Sequence, residues 1–381
     1  MKMLSSLLLG LTLLQPIFTF ATSVPAPQIA AYAYILQDFH SDKVIMAKNV
    51  DERLEPASLT KLMTAYLVFQ KLRAGKIKLT NTVKISKKAW RMSGSRMYIE
   101  VDALVSVELL LKGMIIQSGN DASVALAEFI AGSEEAFATL MNEQAQRLGL
   151  TSTHYMNSTG LPDKQHYSTA RDTARIAEFL IRDFPDYYRW YSEPEFTYNN
   201  IPQQNRNLLL RREPPIVGIK VDGMKTGYTE AAGYCLVASA KQGEMRLISV
   251  VMGTKNEKVR AEESEKMLDY GFRFFETYRL YQAYKPLDIE RVWQGNTEQL
   301  QLGLSEPLYV TIPKGQQTQL NATGHINRHI MAPVTAGKTY GRLQISLGSQ
   351  VISERPLVAL TEVEVGNLWN KLMDSFLLLF Y

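Results

Sequence analysis

Apolar residues recur three and four positions apart over residues 58–72, at Leu62, Ala65, Tyr66 and Phe69. That spacing marks one buried face of a helix. Residues 104–116, 122–130 and 134–148 carry the same period. So do residues 261–275, where Met267, Leu268, Gly271 and Phe274 share a side. Elsewhere the pattern shortens to runs rich in aromatic and β-branched residues. Residues 30–38 and 43–48 form one pair around the turn His40-Ser41-Asp42. Residues 233–240 and 245–252 form another around Lys241-Gln242-Gly243-Glu244. Both pairs predict hairpins. The order hairpin, helices, hairpin, helix predicts an α+β domain, an antiparallel sheet with helices beside it, rather than a doubly wound sheet. The pattern changes near Tyr278. Short strand-like runs at 290–293, 307–312, 343–346 and 357–362, split by Gly and Pro, predict a small C-terminal all-β domain.

The two ends read differently. Lys2 precedes an apolar stretch over 4–20, and Thr19 and Ala21 are small where a signal peptidase reads. This predicts a cleaved export signal over 1–21, with an uncleaved anchor as the alternative. At the other end, Leu368, Leu372, Phe376 and Leu379 form one helical ridge, and Trp369, Met373, Phe376 and Phe380 a second. Asn370, Lys371, Asp374 and Ser375 fall opposite. A helix of this length spans roughly 22 Å, short of the ~30 Å core of a bilayer. It is expected to lie in the membrane interface, apolar face down, with Trp369 and Tyr381 at headgroup level. Docking on the protein's own β domain, or on a second subunit, is the alternative. Lys371 and Asp374 cancel in charge, so apolar burial should dominate lipid binding. The expected plan is a signal over 1–21, a catalytic domain over 22–280, the β domain over 281–364 and the anchoring helix over 365–381.

Composition narrows the field. The chain has 381 residues, enough for two domains, with 46% hydrophobic and 21% charged residues. A net charge of +4 with no dense basic run speaks against a nucleic-acid partner. Cys235 is the one cysteine, so neither an intrachain disulfide nor a zinc site of thiolates can form. The five histidines, at 40, 154, 166, 325 and 329, fall in no metal-binding motif.

Three short motifs carry candidate chemistry. Ser58-Leu59-Thr60-Lys61 opens a predicted helix, and a spacing of three puts the Ser58 hydroxyl and the Lys61 amine on one face. A serine hydroxyl needs a nearby base, and a lysine whose pKa is depressed by burial can be one. The helix N-terminus adds partial positive charge for an oxyanion. Ser118-Gly119-Asn120 is a tight loop presenting two polar side chains. Lys225-Thr226-Gly227 falls on or just before an edge strand, where Gly227 leaves room for a substrate and Lys225 and Thr226 can meet a carboxylate or developing charge. Each motif alone is weak; their order and spacing carry the weight.

Together with Val221-Asp222-Gly223-Met224 before Lys225 and the segment Gly271-Phe272-Arg273-Phe274-Phe275, these motifs make the chain resemble, over almost its whole length, the low-molecular-mass penicillin-binding proteins. The type resembled is the D-alanyl-D-alanine carboxypeptidase of the penicillin-binding protein 5 and 6 kind, peptidase family S11. The resemblance implies a serine β-lactamase/DD-peptidase-like catalytic domain acting on peptidoglycan pentapeptides at the periplasmic face of the inner membrane. It implies Ser58 as nucleophile, Lys61 as base and Ser118 as proton relay. Asn120, Lys225, Thr226 and Gly227 would bind substrate, as would Arg206 and Arg260, the latter at the terminal carboxylate. It implies no metal or cofactor, and acylation by β-lactams. Tyr228 and Thr159 stand where several relatives have histidine, which bears on deacylation and substrate preference. A DD-endopeptidase, a β-lactamase and a weakly active wall-binding morphology protein remain the alternatives.

Overall fold

The computed structural model describes residues 25–213, 218–327 and 329–380. The expected export signal and Tyr381 lie outside them. The first hairpin pairs Ala33–Asp38 with Val44–Lys48. The second pairs Gly233–Gln242 with Met245–Thr254. Ala33–Asp38 also pairs with Met245–Thr254, and Lys220–Thr229 joins the far side of Gly233–Gln242. The result is a five-stranded antiparallel sheet with Val44–Lys48 and Lys220–Thr229 at its edges.

The continuous apolar runs of the central strands have a simple cause: both faces of the sheet are covered. Ile35, Val237, Ile248 and Val250 point into the core shared with the helical block. Their neighbours Leu36, Leu236, Leu247 and Val251 point into a second core beneath the helix Glu257–Phe274. A strand buried on both sides loses the apolar–polar alternation of a half-exposed one.

The helical block contains Lys61–Arg73, Val107–Ile116, Asn120–Ala131 and Glu134–Arg147, close to expectation. Three details differ. The helix expected from residue 58 begins at Lys61, preceded by a single 3-10 turn at Ala57–Thr60. The helix expected from 104 begins at Val107, because Leu104–Ser106 first pairs with Thr82–Lys84 and Ser106 then caps the helix by accepting from the Leu109 N–H. A further helix, Ala170–Asp183, was not expected. It is capped by Thr169 and buries Ile176, Ala177, Leu180 and Ile181.

Beyond the sheet, Phe275–Tyr281 pairs with Leu308–Pro313, and a six-stranded sheet follows. Its order is Leu320–Ile326, Thr339–Leu347, Gln350–Ala359, Gln299–Gly303, Pro286–Trp293 and Ile330–Met331, with only the last pair parallel. This all-β unit meets the catalytic region through His40 stacked on Tyr309, ring centroids 4.5 Å apart, and through Asp38, which accepts from the Thr277 hydroxyl at 2.7 Å. The tail forms a helix at Leu368–Leu377, shorter than the segment expected to be helical. Among the described residues no helix is long and apolar enough to cross a membrane.

Candidate active site

Ser58 sits on the 3-10 turn between Pro56 and the helix Lys61–Arg73. Buried Leu59, Leu62 and Met63 root that turn in the main core. The edge strand Lys220–Thr229 lies directly against it. A Cβ added at Gly227 would come 3.1 Å from the Pro56 carbonyl oxygen and 3.2 Å from the Ser58 nitrogen. Gly227 was expected to leave room for substrate; the space its missing side chain frees is taken by the backbone of the Ser58 turn. A side chain there would have to push the strand and the nucleophile turn apart by a few tenths of an ångström, so glycine suits this close approach.

Lys61 is the hub. Its Nζ is 2.9 Å from Ser58 Oγ, 2.7 Å from Asn120 Oδ1 and 2.7 Å from the Thr159 carbonyl oxygen. Two of these partners only accept, so they take two N–H groups of the amine. The third position faces Ser58. A neutral amine holds its lone pair there and can receive the Ser58 proton. The environment favours that state. Complete burial lowers the Lys61 pKa to about 7, although Asp121 and Glu134 pull the other way.

Ser118 and Lys225 form a second pair across the cleft. Lys225 Nζ lies 2.7 Å from Ser118 Oγ and 3.0 Å from the Thr226 carbonyl oxygen. Burial, then the like charges of Lys61, Arg260 and Arg206, hold its pKa well below the usual lysine value. The tight loop expected from Gly119 is present, but the residue in the left-handed region is Ser118, at φ 66°. Asn120 opens the next helix. Its Oδ1 holds Lys61 and its Nδ2 donates to the Ser93 carbonyl at 2.7 Å, which leaves one N–H for a ligand. Asp121, next in the chain, accepts the backbone N–H groups of Met97, Tyr98 and Ile99 and so shapes the loop at the cleft's rim.

Sequence reasoning missed how the Thr159 carbonyl reaches Lys61. Asn157 Oδ1 accepts from the Thr159 N–H, the Thr159 hydroxyl and the Gly160 N–H, closing a tight loop. Ser158 is pinned from behind: Glu134 accepts from its N–H and hydroxyl, and its carbonyl accepts from Thr64 and Ser123. Gly160 has φ 84°, and a Cβ there would fall 1.7 Å from the Ala57 carbonyl oxygen. The only local signal was Asn157-Ser158-Thr159-Gly160, an Asx-type turn. At 159 the group that reaches the hub is the backbone carbonyl, so a threonine in place of histidine leaves that contact intact. His166 also proves local to the site: it is buried, 2.8 Å from Thr60 Oγ1, and burial lowers its pKa to about 4, which keeps it neutral.

All of this opens on a cleft of about 360 Å³ whose wall includes Ser58, Ser118, Asn120, Thr226 and both arginines. The arginines differ. Arg260 is buried; it donates to the Gly227 carbonyl at 3.3 Å and to Glu257 at 2.8 Å, and its guanidinium lies 5.6 Å from the centre of the Tyr234 ring. Arg206 is exposed, and its side chain makes no hydrogen bond or ion pair among the described residues. Tyr228, 53% exposed, packs against Tyr234 at the cleft mouth, the two rings tilted with centroids 4.2 Å apart.

A serine beside a buried lysine of lowered pKa, a second serine–lysine pair facing it and a cationic cleft mouth form an acyl-transfer site. Known proteins agree. Residues 20–256 match the family described as D-alanyl-D-alanine carboxypeptidase, peptidase S11, and residues 275–365 match the C-terminal domain of penicillin-binding protein 5. The chain is 44% identical over 371 residues to the D-alanyl-D-alanine carboxypeptidase DacC of Escherichia coli, covering 96% of this chain and 92% of that one. The crystal structure of penicillin binding protein 5 from Haemophilus influenzae superposes with a TM-score of 0.86 at 42% identity, over 90% of this chain and 100% of that one. Penicillin-binding protein D2 from Listeria monocytogenes, in its ampicillin-bound form, superposes with a TM-score of 0.59 at 30% identity, over 65% of this chain and 100% of that one. With that geometry and these relatives, the chain belongs to the D-alanyl-D-alanine carboxypeptidases of peptidase family S11, in the penicillin-binding protein 5 and 6 group.

Proposed function

We propose the following division of labour in this serine D-Ala-D-Ala carboxypeptidase, carried by one observation: the buried Lys61 amine 2.9 Å from Ser58 Oγ. Ser58 attacks the carbonyl between the last two D-alanines of a peptidoglycan pentapeptide, and Lys61 takes its proton. The backbone N–H groups of Ser58 and Tyr228 hold the oxyanion. The C–N bond then breaks as Ser118, under the field of Lys225, passes a proton to the leaving amine and is itself reprotonated by the proton that Lys61 took. Water attacks the acyl-enzyme and gives a proton to neutral Lys61, which returns it to Ser58 Oγ as the ester bond breaks and the shortened peptide leaves. Asn120 and Thr226 orient the substrate chain. A β-lactam presents a strained amide to the same nucleophile and acylates it. Incubation with a peptide ending in D-Ala-D-Ala, read by mass spectrometry, should show loss of a single alanine. Cleavage only at an internal cross-link would make the enzyme an endopeptidase instead.

Arg206 and Arg260 take the terminal carboxylate in different ways. Arg206, uncommitted and exposed, makes the direct contact; Arg260, tied to Glu257 and Gly227, supplies positive field beneath it. Arg206→Ala should cut kcat/KM for a peptide with a free terminal carboxylate by roughly 10- to 100-fold, the worth of a charge-assisted pair, and spare an amidated analogue. Equal losses on both would remove Arg206 from this role.

The division into an exported catalytic domain, a β domain and a C-terminal membrane anchor belongs to the same reading. The tail helix exposes Leu368, Trp369, Leu372 and Phe376, and Phe380 just beyond it is exposed too, an apolar face suited to lying in a membrane interface. Cutting after Val365 should release an active enzyme that stays in the supernatant. The intact chain should resist high salt on membranes and yield to detergent, since apolar burial holds it. Release of the intact chain by salt alone would refute this anchor.

A further inference from the structure

A short amphipathic helix on a protein surface ordinarily docks through its apolar face. The tail helix Leu368–Leu377 docks through its polar one. Asp374 is 7% exposed. Its Oδ1 accepts from Arg291 Nη2 at 2.9 Å, and its Oδ2 accepts from the backbone N–H of Gln294. Gln294 Nε2 donates to Ser375 Oγ at 3.0 Å, and Asn370 Nδ2 donates to the Gly295 carbonyl at 3.3 Å. Arg291 is itself held, its guanidinium 4.2 Å from the centre of the Trp293 ring. Every one of these partners is on the strand Pro286–Trp293 or just after it, in the β domain.

Burying a carboxylate is costly unless a charge and hydrogen bonds compensate it, and here a guanidinium and a backbone N–H do so. A helix of 10 residues is marginal alone in water. This one turns its large apolar side chains outward: Leu368 is 80% exposed and Phe376 60%. Its attachment to the protein therefore rests on the polar contacts. A simple tether to lipid would need no buried acid on its inner side.

We infer that Asp374 is a positioning residue that latches the tail helix to the β domain through Arg291 and Gln294. A lipid bilayer covering the outward face then meets the chain in one fixed orientation. The latch sets how the β domain, and with it the catalytic cleft, stands over the membrane. This orienting role rests on the anchor reading above; the latch itself does not.

Asp374→Ala tests both parts in the full-length protein. In lipid-free solution, amides of residues 368–377 should exchange about 10- to 100-fold faster in the variant, while the β-domain strands and peptide hydrolysis stay unchanged. On vesicles of phosphatidylethanolamine and phosphatidylglycerol the variant should still pellet, because its apolar face is intact. By neutron reflectometry on a supported bilayer of the same lipids, the wild type should form a layer of one thickness and the variant a broader one. Unchanged exchange in 368–377 would overturn the latch, and identical layers would overturn its orienting role. A wild type that fails to pellet would instead sink the anchor reading, leaving the exchange result to judge the latch.

Discussion

Ser58→Ala should abolish covalent penicillin labelling and cut D-alanine release by about 10⁶-fold, the scale seen when a nucleophile that works as part of a unit is removed. The fold should survive. Ser58 contributes no apolar packing to the core, and the only side-chain hydrogen bond it makes among the described residues is to Lys61. Lys61 keeps its bonds to Asn120 and Thr159 in the variant. Thermal unfolding should therefore shift by only a few degrees, while intact-mass spectra with a β-lactam show no adduct. An adduct that persists and maps by peptide digestion to another residue would remove Ser58 from the mechanism.

Lys61→Arg should lower the acylation rate by about 10²- to 10⁴-fold, the usual worth of a general base. Arginine keeps the positive charge but stays protonated, so it cannot take the Ser58 proton. The wild type carries a second signature. Burial sets the Lys61 pKa at about 7, and acylation needs the neutral form. The second-order rate of penicillin acylation should thus fall about tenfold per pH unit below about 7 and level off above it. The sign follows from desolvation, which destabilises the charged amine and so favours proton release at lower pH than the ~10.4 of a free lysine. Stopped-flow acylation across pH 5–9 checks this. A rate flat through that range, or a Lys61→Arg enzyme that acylates normally, would exclude Lys61 as the base.

The apposition of Ser58 and Lys61 was legible from residue spacing, because a separation of three is enforced by local helical geometry and needs no partner. The hairpins were legible for the same reason, each being a local pairing around a short turn. The helix Ala170–Asp183 carried readable signals as well: Thr169 before it and apolar residues at 176, 177, 180 and 181 within it. The amphipathic tail was also evident from its periodicity. What needed the folded chain was every contact across long separations. Asn120 and Thr159 reach Lys61 from 59 and 98 residues away, and Lys225 reaches Ser118 across 107. No local pattern encodes those distances, and the drop in the Lys61 pKa depends on the burial they create. Arg206 and Arg260 looked alike as sequence; only packing against Glu257, Gly227 and Tyr234 commits one and leaves the other free. The tail makes the same point. Periodicity shows that a helix has two faces, but which face meets the protein depends on where a buried partner such as Arg291 lies. That position is set by the β-domain sheet, far along the chain from Asp374.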